Sequence, residues 1–274
     1  MSSEGVLLLR KPAGPTSHDM VQRIRRLLAI RRVGHAGTLD PAAAGLLVLG
    51  IGHGTRLLRY LQSDEKRYLA WCVFGRSTDS GDAAGTVIGC HDTSGLSARQ
   101  VRDVLPAFWG VIRQQPPAYS AIHVAGERAY RLARRGEAVE LPERQVFIRE
   151  ISLRHWRLWP SGLPAALLDI RCGAGTYVRS LCAEIGQRVG TGAYTAGLVR
   201  LEAGRFRLDE AYSLPQLEKA AAAGDLDQYL LSPREALPFP VVTLDPEEAV
   251  RFAHGVAVPL RCDAWSDCRA QPEA

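Results

Sequence analysis

An α/β fold is predicted, on three features of the sequence. Apolar runs of strand length stand at residues 6–9, 46–49 and 66–75. Helix-period stripes fall between and after them, at Met20, Ile24, Leu27 and Leu28 and again at Val178, Leu181, Ile185 and Val189. Two further runs, 146–153 and 165–172, flank a proline-containing loop and predict neighbouring strands.

Residues 6–9, Val-Leu-Leu-Leu, form a short buried strand that stops at the breaker-rich Lys-Pro-Ala-Gly-Pro of 11–15. Thr16 then caps a helix, with Asp19 close to the positive end of its dipole. Residues 34–47 read Gly-His-Ala-Gly-Thr-Leu-Asp-Pro-Ala-Ala-Ala-Gly-Leu-Leu, a glycine- and proline-rich loop with a buried strand behind it. Asp40 precedes Pro41, which drives its backbone out of the helical region. The strand at 66–75 is rich in aromatics, and a polar turn at 78–85 leads to a short strand at 86–88. Ser97 and Gln100 form a capping box for a helix running towards Phe108. Prolines in 114–121 can neither continue a helix nor sit inside a sheet, so an exposed excursion is predicted there. Residues 173–180 turn into the helix that carries Val178 and Leu181. Pro238-Phe239-Pro240 marks a boundary, and the tail beyond it is short for a self-sufficient domain. There is no internal repeat.

The 274 residues are 46% hydrophobic and 23% charged, ample for a sizeable core. A net charge of +5 is compatible with a polyanionic partner, and its distribution says more. Arg23, Arg25, Arg26, Arg31 and Arg32 precede the glycine loop with no acidic residue before Asp40. Arg128, Arg131 and Arg135 would share one face of a helix, with Arg134 beside them. Charge runs are usually solvated faces, and two clusters flanking one motif set nucleic acid level with that reading. Cysteines at 72, 90, 172, 182, 262 and 268 show no zinc-binding spacing, so no metal is expected. Cys72, Cys90 and Cys172 sit in strand-like runs and predict buried thiols. The apolar run at the N-terminus is too short for a signal peptide or a membrane span, which implies a reducing cytoplasm.

The phrase at 34–47 closely resembles the GHxGxLDPxAxGxL signature of the TruB family, whose members make pseudouridine in the T-loop of tRNA. Other motifs agree in order: the opening Gly-Val-Leu-Leu-Leu-Arg-Lys-Pro, Lys66-Arg67-Tyr68, Thr78-Asp79-Ser80-Gly81-Asp82, residues 115–121 with 126–130, Gly175-Thr176-Tyr177-Val178-Arg179-Ser180, and Leu198-Val199-Arg200-Leu201. The resemblance implies a pseudouridine-synthase fold, a mixed and largely antiparallel central sheet flanked by helices with the cleft across its middle. It implies a catalytic domain over 1–237, with an RNA-gripping insertion at about 113–140, and a short or truncated PUA-like RNA-binding segment over 238–274.

The same resemblance assigns roles. Asp40 is the nucleophile, and an ionised carboxylate suits this chemistry without metal or coenzyme. Arg179 can pair with it, favouring the charged form and fixing its direction. Tyr68 stacks on the uracil, and its hydroxyl is placed to help remove a proton once the new bond forms. His35 fills the space left by the extruded base, Tyr177 is a second candidate for the pocket wall, and Leu198 lines the uridine pocket. Arg23, Arg25, Arg31, Arg32, Arg128, Arg131 and Arg135 are candidates for backbone phosphates. Asp79 and Asp82 are read as turn formers. The implied partner is the T-arm of tRNA, bound by a monomer with no cofactor and no membrane. Alternatives are a non-catalytic tRNA-binding protein, action on another RNA uridine, or a hydrolase. The last lacks an obvious second carboxylate. Whether Asp40 attacks ribose or ring stays open.

Overall fold

A computed structural model describes residues 4–259, apart from 63, 64, 121, 125, 138 and 140. β1 (Gly5–Lys11) is buried along its length except at Arg10, and Lys11 is as buried as the leucines before it. α1 (Ser17–Leu28) begins in a full capping box, the Thr16 hydroxyl accepting from the Asp19 amide while Asp19 accepts from the Thr16 amide. β2 (Val33–Ala36) and β3 (Ala43–Ile51) pair antiparallel, with the Asp40 loop joining them. The short α2 (Leu58–Leu61) leads to β4 (Lys66–Phe74). β5 (Arg76–Thr78) and β6 (Val87–Cys90) form a separate ribbon, followed by α3 (Ala98–Val104), capped by Ser97 and Gln100 as its spacing predicts.

β7 (Gly110–Gln114) is followed by a small hairpin, β8 (His123–Val124) with β9 (Glu127–Arg128), and by α4 (Ala129–Arg134). β10 (Arg144–Leu158) and β11 (Pro164–Cys172) are the predicted neighbours, antiparallel and longer than the apolar runs alone. Then come α5 (Val178–Arg188), β12 (Ala193–Ala203), β13 (Phe206–Arg207), α6 (Leu214–Ala223), β14 (Leu230–Leu231) and α7 (Pro233–Ala236).

One large sheet runs in the order β14-β1-β3-β12-β4-β11-β10-β7, with β2 beside β3 and β13 beside β12. Its pairs are antiparallel except β3 with β12, which gives the mixed, largely antiparallel sheet expected. Helices cover it. Ala70, Cys72, Phe74, Leu168 and Ile170 pack on Leu181, Cys182 and Ile185 of α5. Leu7, Leu47 and Leu49 pack on Met20, Val21 and Ile24 of α1 and Leu217 of α6.

Three expectations are corrected or bounded. Cys90 is exposed on the small ribbon rather than buried, because β6 has only β5 beside it; Cys72 and Cys172 are buried. Gln114, Pro116 and Ser120 are buried, so residues 114–120 are not an exposed excursion but fold back on the body, and residue 121 of the predicted stretch lies outside the described residues. Beyond Leu237 the described residues contain one helix, α8 (Pro246–Ala253), with no buried side chain. Residues 260–274, including Cys262 and Cys268, lie outside the described residues.

Candidate active site

The site is built around the loop from Gly37 to Ala43. Gly37 has φ +84°, a conformation glycine adopts without strain. Gly45, just inside β3, has φ +113°, and a Cβ there would stand 2.3 Å from the Arg200 carbonyl oxygen. Only glycine lets β3 approach β12 this closely.

Side chains from three elements then hold the loop. Ser17, opening α1, donates its hydroxyl to the Leu39 carbonyl and accepts from the Leu39 amide, both at 2.9 Å. Lys11 donates to the carbonyls of Ala43 at 2.6 Å, Pro12 at 3.0 Å and Pro41 at 3.3 Å. Arg200, from β12, donates to the carbonyls of Leu46 at 2.7 Å and Gly37 at 3.0 Å. Burial pushes the Lys11 ammonium down to about 8, with the charge of Asp40 acting against that fall.

Asp40, one-third exposed, meets Arg179, which is almost fully buried. Nε lies 2.8 Å from Oδ2 and Nη2 lies 3.2 Å from Oδ1, a two-point contact. The guanidinium is used up on its other edges. Nη1 donates to the Ser80 carbonyl at 2.8 Å and stands 3.9 Å from Asp82, while Nη2 also donates to the Tyr119 carbonyl at 2.9 Å. Asp79 and Asp82 shape the turn behind it, accepting from the amides of Thr86 and Ala84.

The start of α5 is fixed by Gln114. Its amide accepts from the Tyr177 N–H at 2.8 Å and donates to the Tyr177 carbonyl at 3.1 Å, and the Ser180 hydroxyl reaches the Gln115 carbonyl at 2.8 Å. The buried stretch after β7 is therefore the wall that aims Arg179.

A cavity of about 560 Å³ opens over this pair, within the range of about 300–1,000 Å³ that holds small ligands. Asp40, Tyr68, Tyr177, Arg179 and Leu198 all line it, and Asp40 is the only carboxylate among the described residues that do. Tyr68 projects from β4 and is 8% exposed. Burial raises its hydroxyl above the ordinary tyrosine range, and the neighbouring Arg200 pulls the other way. Among the described residues no group of three or more His, Cys, Asp or Glu could hold a metal ion. No described helix is long and apolar enough to cross a membrane.

Other predicted residues stand apart. His35 lies on β2, paired with Leu49, and does not line the cavity. Burial lowers its pKa, and its Nδ1 has no hydrogen-bond partner. None of Arg23, Arg25, Arg31 and Arg32 lines the cavity. Arg25 donates to the Val33 carbonyl and Arg32 to the Thr55 hydroxyl. Arg128 and Arg135 cap α4 at its two ends, so only Arg131 of the three lies within the helix. Arg135 is instead held by Glu127 and Glu137, each at 2.6 Å.

The cavity's own cations are Arg59, Lys66, Arg144, Arg179 and Arg200. Sequence reasoning gave no role to Arg59, Arg144 and Arg200. Arg144 stacks over the Tyr177 ring at 4.6 Å and donates to the Gly175 carbonyl. One signal was present for Arg200: two places after Leu198 on a strand, it shares that residue's face.

A family model described as "TruB family pseudouridylate synthase (N terminal domain)" matches residues 25–178, which hold Asp40 and Tyr68. The chain belongs to the TruB family. A Gloeobacter violaceus protein named tRNA pseudouridine synthase B is 44% identical over 262 residues, 95% of this chain and 88% of that one. A Synechocystis protein of the same name is 46% identical over 252 residues, covering 92% of this chain and 84% of its own length. Among solved structures, a crystal structure of a Cbf5-Nop10-Gar1 complex superposes with TM-score 0.71 at 24% identity, over 93% of this chain and 68% of that chain. That likeness supports the fold, and the sequence relatives place the chain among pseudouridylate synthases.

Proposed function

We propose that this TruB-family protein converts uridine to pseudouridine at position 55, in the T-loop of tRNA, with Asp40 as the nucleophile. The observation that carries the reading is the two-point pairing of Asp40 with Arg179 at the floor of a cavity that has no other carboxylate among the described residues. A carboxylate held by a fork of N–H donors has a fixed direction, as a nucleophile needs. The five cations lining the cavity favour a polyanionic substrate such as the T-arm of tRNA.

The reaction breaks the bond from ribose C1′ to uracil N1 and rejoins C1′ to C5. Asp40 holds one fragment while the base turns. The Tyr68 ring and Leu198 give the base apolar walls, with Tyr177 on the α5 side. Once C5 is bonded to C1′, its proton must leave. The C5–H electron pair restores the C5=C6 double bond, the electrons of the C6=N1 bond pass to N1, and N1 takes a proton. Tyr68 in its phenolate form accepts the C5 proton and later returns it to solvent. This chemistry runs on a carboxylate and a phenol, and it calls on no coenzyme. We place it in the cytoplasm, carried out by a monomer whose catalytic domain is residues 1–237.

The test is to incubate the protein with unmodified total tRNA and map pseudouridine by carbodiimide labelling. A block to reverse transcription at position 55 of the T-loop, absent without protein, is the expected result. Labelling only at other uridines would move the substrate, and no labelling with tight tRNA binding would favour a non-catalytic role.

A further inference from the structure

Arg200 is the largest fully buried side chain described, 1% exposed, and it makes no ion pair among the described residues. A guanidinium buried without a carboxylate is costly to the fold, so its retention calls for a use. Two of its nitrogens hold the carbonyls of Gly37 and Leu46, which stand on either side of Asp40 in the chain. It lies directly opposite Tyr68 across the β12–β4 pairing, beside the Tyr68 hydroxyl. Both side chains line the cavity.

We propose that Arg200 is a positioning residue that fixes the Tyr68 hydroxyl relative to the Asp40 loop and stabilises that oxygen when it carries negative charge. This inference rests on the roles given above to Asp40 and Tyr68. To accept the C5 proton, the Tyr68 oxygen must first give up its own to solvent, and burial opposes the phenolate that results. A guanidinium stays charged at any working pH, so it is the suitable neighbour for that oxygen. Arg200 thereby joins two tasks in one side chain. The same planar group that sets the path of the nucleophile's loop sets the place of the proton acceptor, and the spacing between them is fixed. Lys11 grips the loop too, through Pro41 and Ala43, but it does not line the cavity.

Two measurements on the full chain test this. The first is a double-mutant cycle read as single-turnover pseudouridine formation, using Arg200→Gln, Arg200→Lys and Tyr68→Phe. Each single variant should lose about a hundredfold or more, with tRNA affinity within a few-fold of the parent. Adding either Arg200 change to Tyr68→Phe should cost little more, because the hydroxyl through which Arg200 acts is already gone. Losses that simply multiply would overturn the proposal, as would a normal rate in Arg200→Lys. Should Arg200→Gln fail to fold, Arg200→Lys, which keeps the charge and loses the planar fork, carries the cycle alone.

The second needs no RNA. With 3-fluorotyrosine at position 68, fluorine NMR follows the ionisation of that one ring. Arg200→Gln should move it upward, by about one unit for the loss of an adjacent charge, and Arg200→Lys, which keeps the charge, should move it less. No movement in Arg200→Gln would overturn the proposal even if the enzyme is active. If the parent makes no pseudouridine while the ionisation still moves, it is the functional reading that fails and the Arg200–Tyr68 coupling that stands.

Discussion

The two faces of β4 solve opposite electrostatic problems. On one, Arg67 bonds Asp169 at 2.8 Å and Glu202 at 2.9 Å, Arg154 shares Asp169, and Arg171 reaches Glu202 at 3.2 Å. On the other, Arg200 finds backbone carbonyls and the Tyr68 hydroxyl, Arg144 finds a carbonyl and an aromatic ring, and Asp40 is the lone carboxylate among the described residues that line the cavity. The outer cations are neutralised within the protein. The inner ones face a single carboxylate among the described residues, Asp40, and that excess of positive charge suits a phosphate-bearing substrate.

The comparison breaks most visibly at its single inner carboxylate. Asp40→Asn should abolish turnover while tRNA affinity stays within a few-fold, since the amide keeps the shape and cannot serve as nucleophile. Multiple turnover by such a variant, made in a host lacking its own enzyme, would remove Asp40 from the mechanism. Next in size, Arg179→Lys should lower the single-turnover rate about a hundredfold, because an ammonium cannot reproduce the two-point contact or reach the carbonyls of Ser80 and Tyr119 together.

A smaller contrast sets the two faces directly against each other. Arg144→Ala, on the cavity side, should raise KM for tRNA about tenfold and flatten its salt dependence by nearly one unit of log–log slope. Arg154→Ala, on the outer face, should leave both unchanged. Equal effects would mean that RNA runs over the outer face as well. Binding isotherms at several ionic strengths decide it.

The smallest effect is on stability against pH, which rises with pH through both groups, in an acid window for Asp169 and an alkaline one for Lys11. Asp169 is held below the ordinary carboxylate range by Arg67, so its contribution is present at neutral pH and lost as pH falls below about 4. Lys11 titrates at about 8 in the fold and at 10.5 in the unfolded chain. Between those values the unfolded state holds the extra proton, so this group makes stability rise with pH. Tm measured across both windows should lose its acid limb in Asp169→Asn and its alkaline rise in Lys11→Met.

Local features were readable from sequence, and features needing a distant partner were not. The boxes at Thr16–Asp19 and Ser97–Gln100 are closed by residues three apart, so spacing alone announces them. The stretch 114–121 looked exposed from its prolines. Its burial depends on Gln114 bonding Tyr177, a residue 63 positions away, which no local rule anticipates. The family phrases pointed to Asp40, Tyr68 and Arg179, and these three do line one cavity. The arginine clusters, read as candidates for backbone phosphates, do not line that cavity, because clustering in sequence says nothing of which face a side chain takes. Arg59 and Arg144 are isolated in sequence and reach the cleft through strand register and loop path.

The contacts that assemble the cleft also set when it can exist. Arg179 reaches Asp40 across 139 residues, and Arg200 reaches Leu46 across 154. Pairs this distant must overcome a large loop-closure entropy before any contact compensates, which places them late in folding. During synthesis, the start of β3 at Ala43–Gly45 and the neighbouring edge of β4 have no strand between them until β12 leaves the ribosome. Asp40 is made early, yet the geometry that would make it the proposed nucleophile arrives only when about three-quarters of the chain has been synthesised, at β12 (Ala193–Ala203).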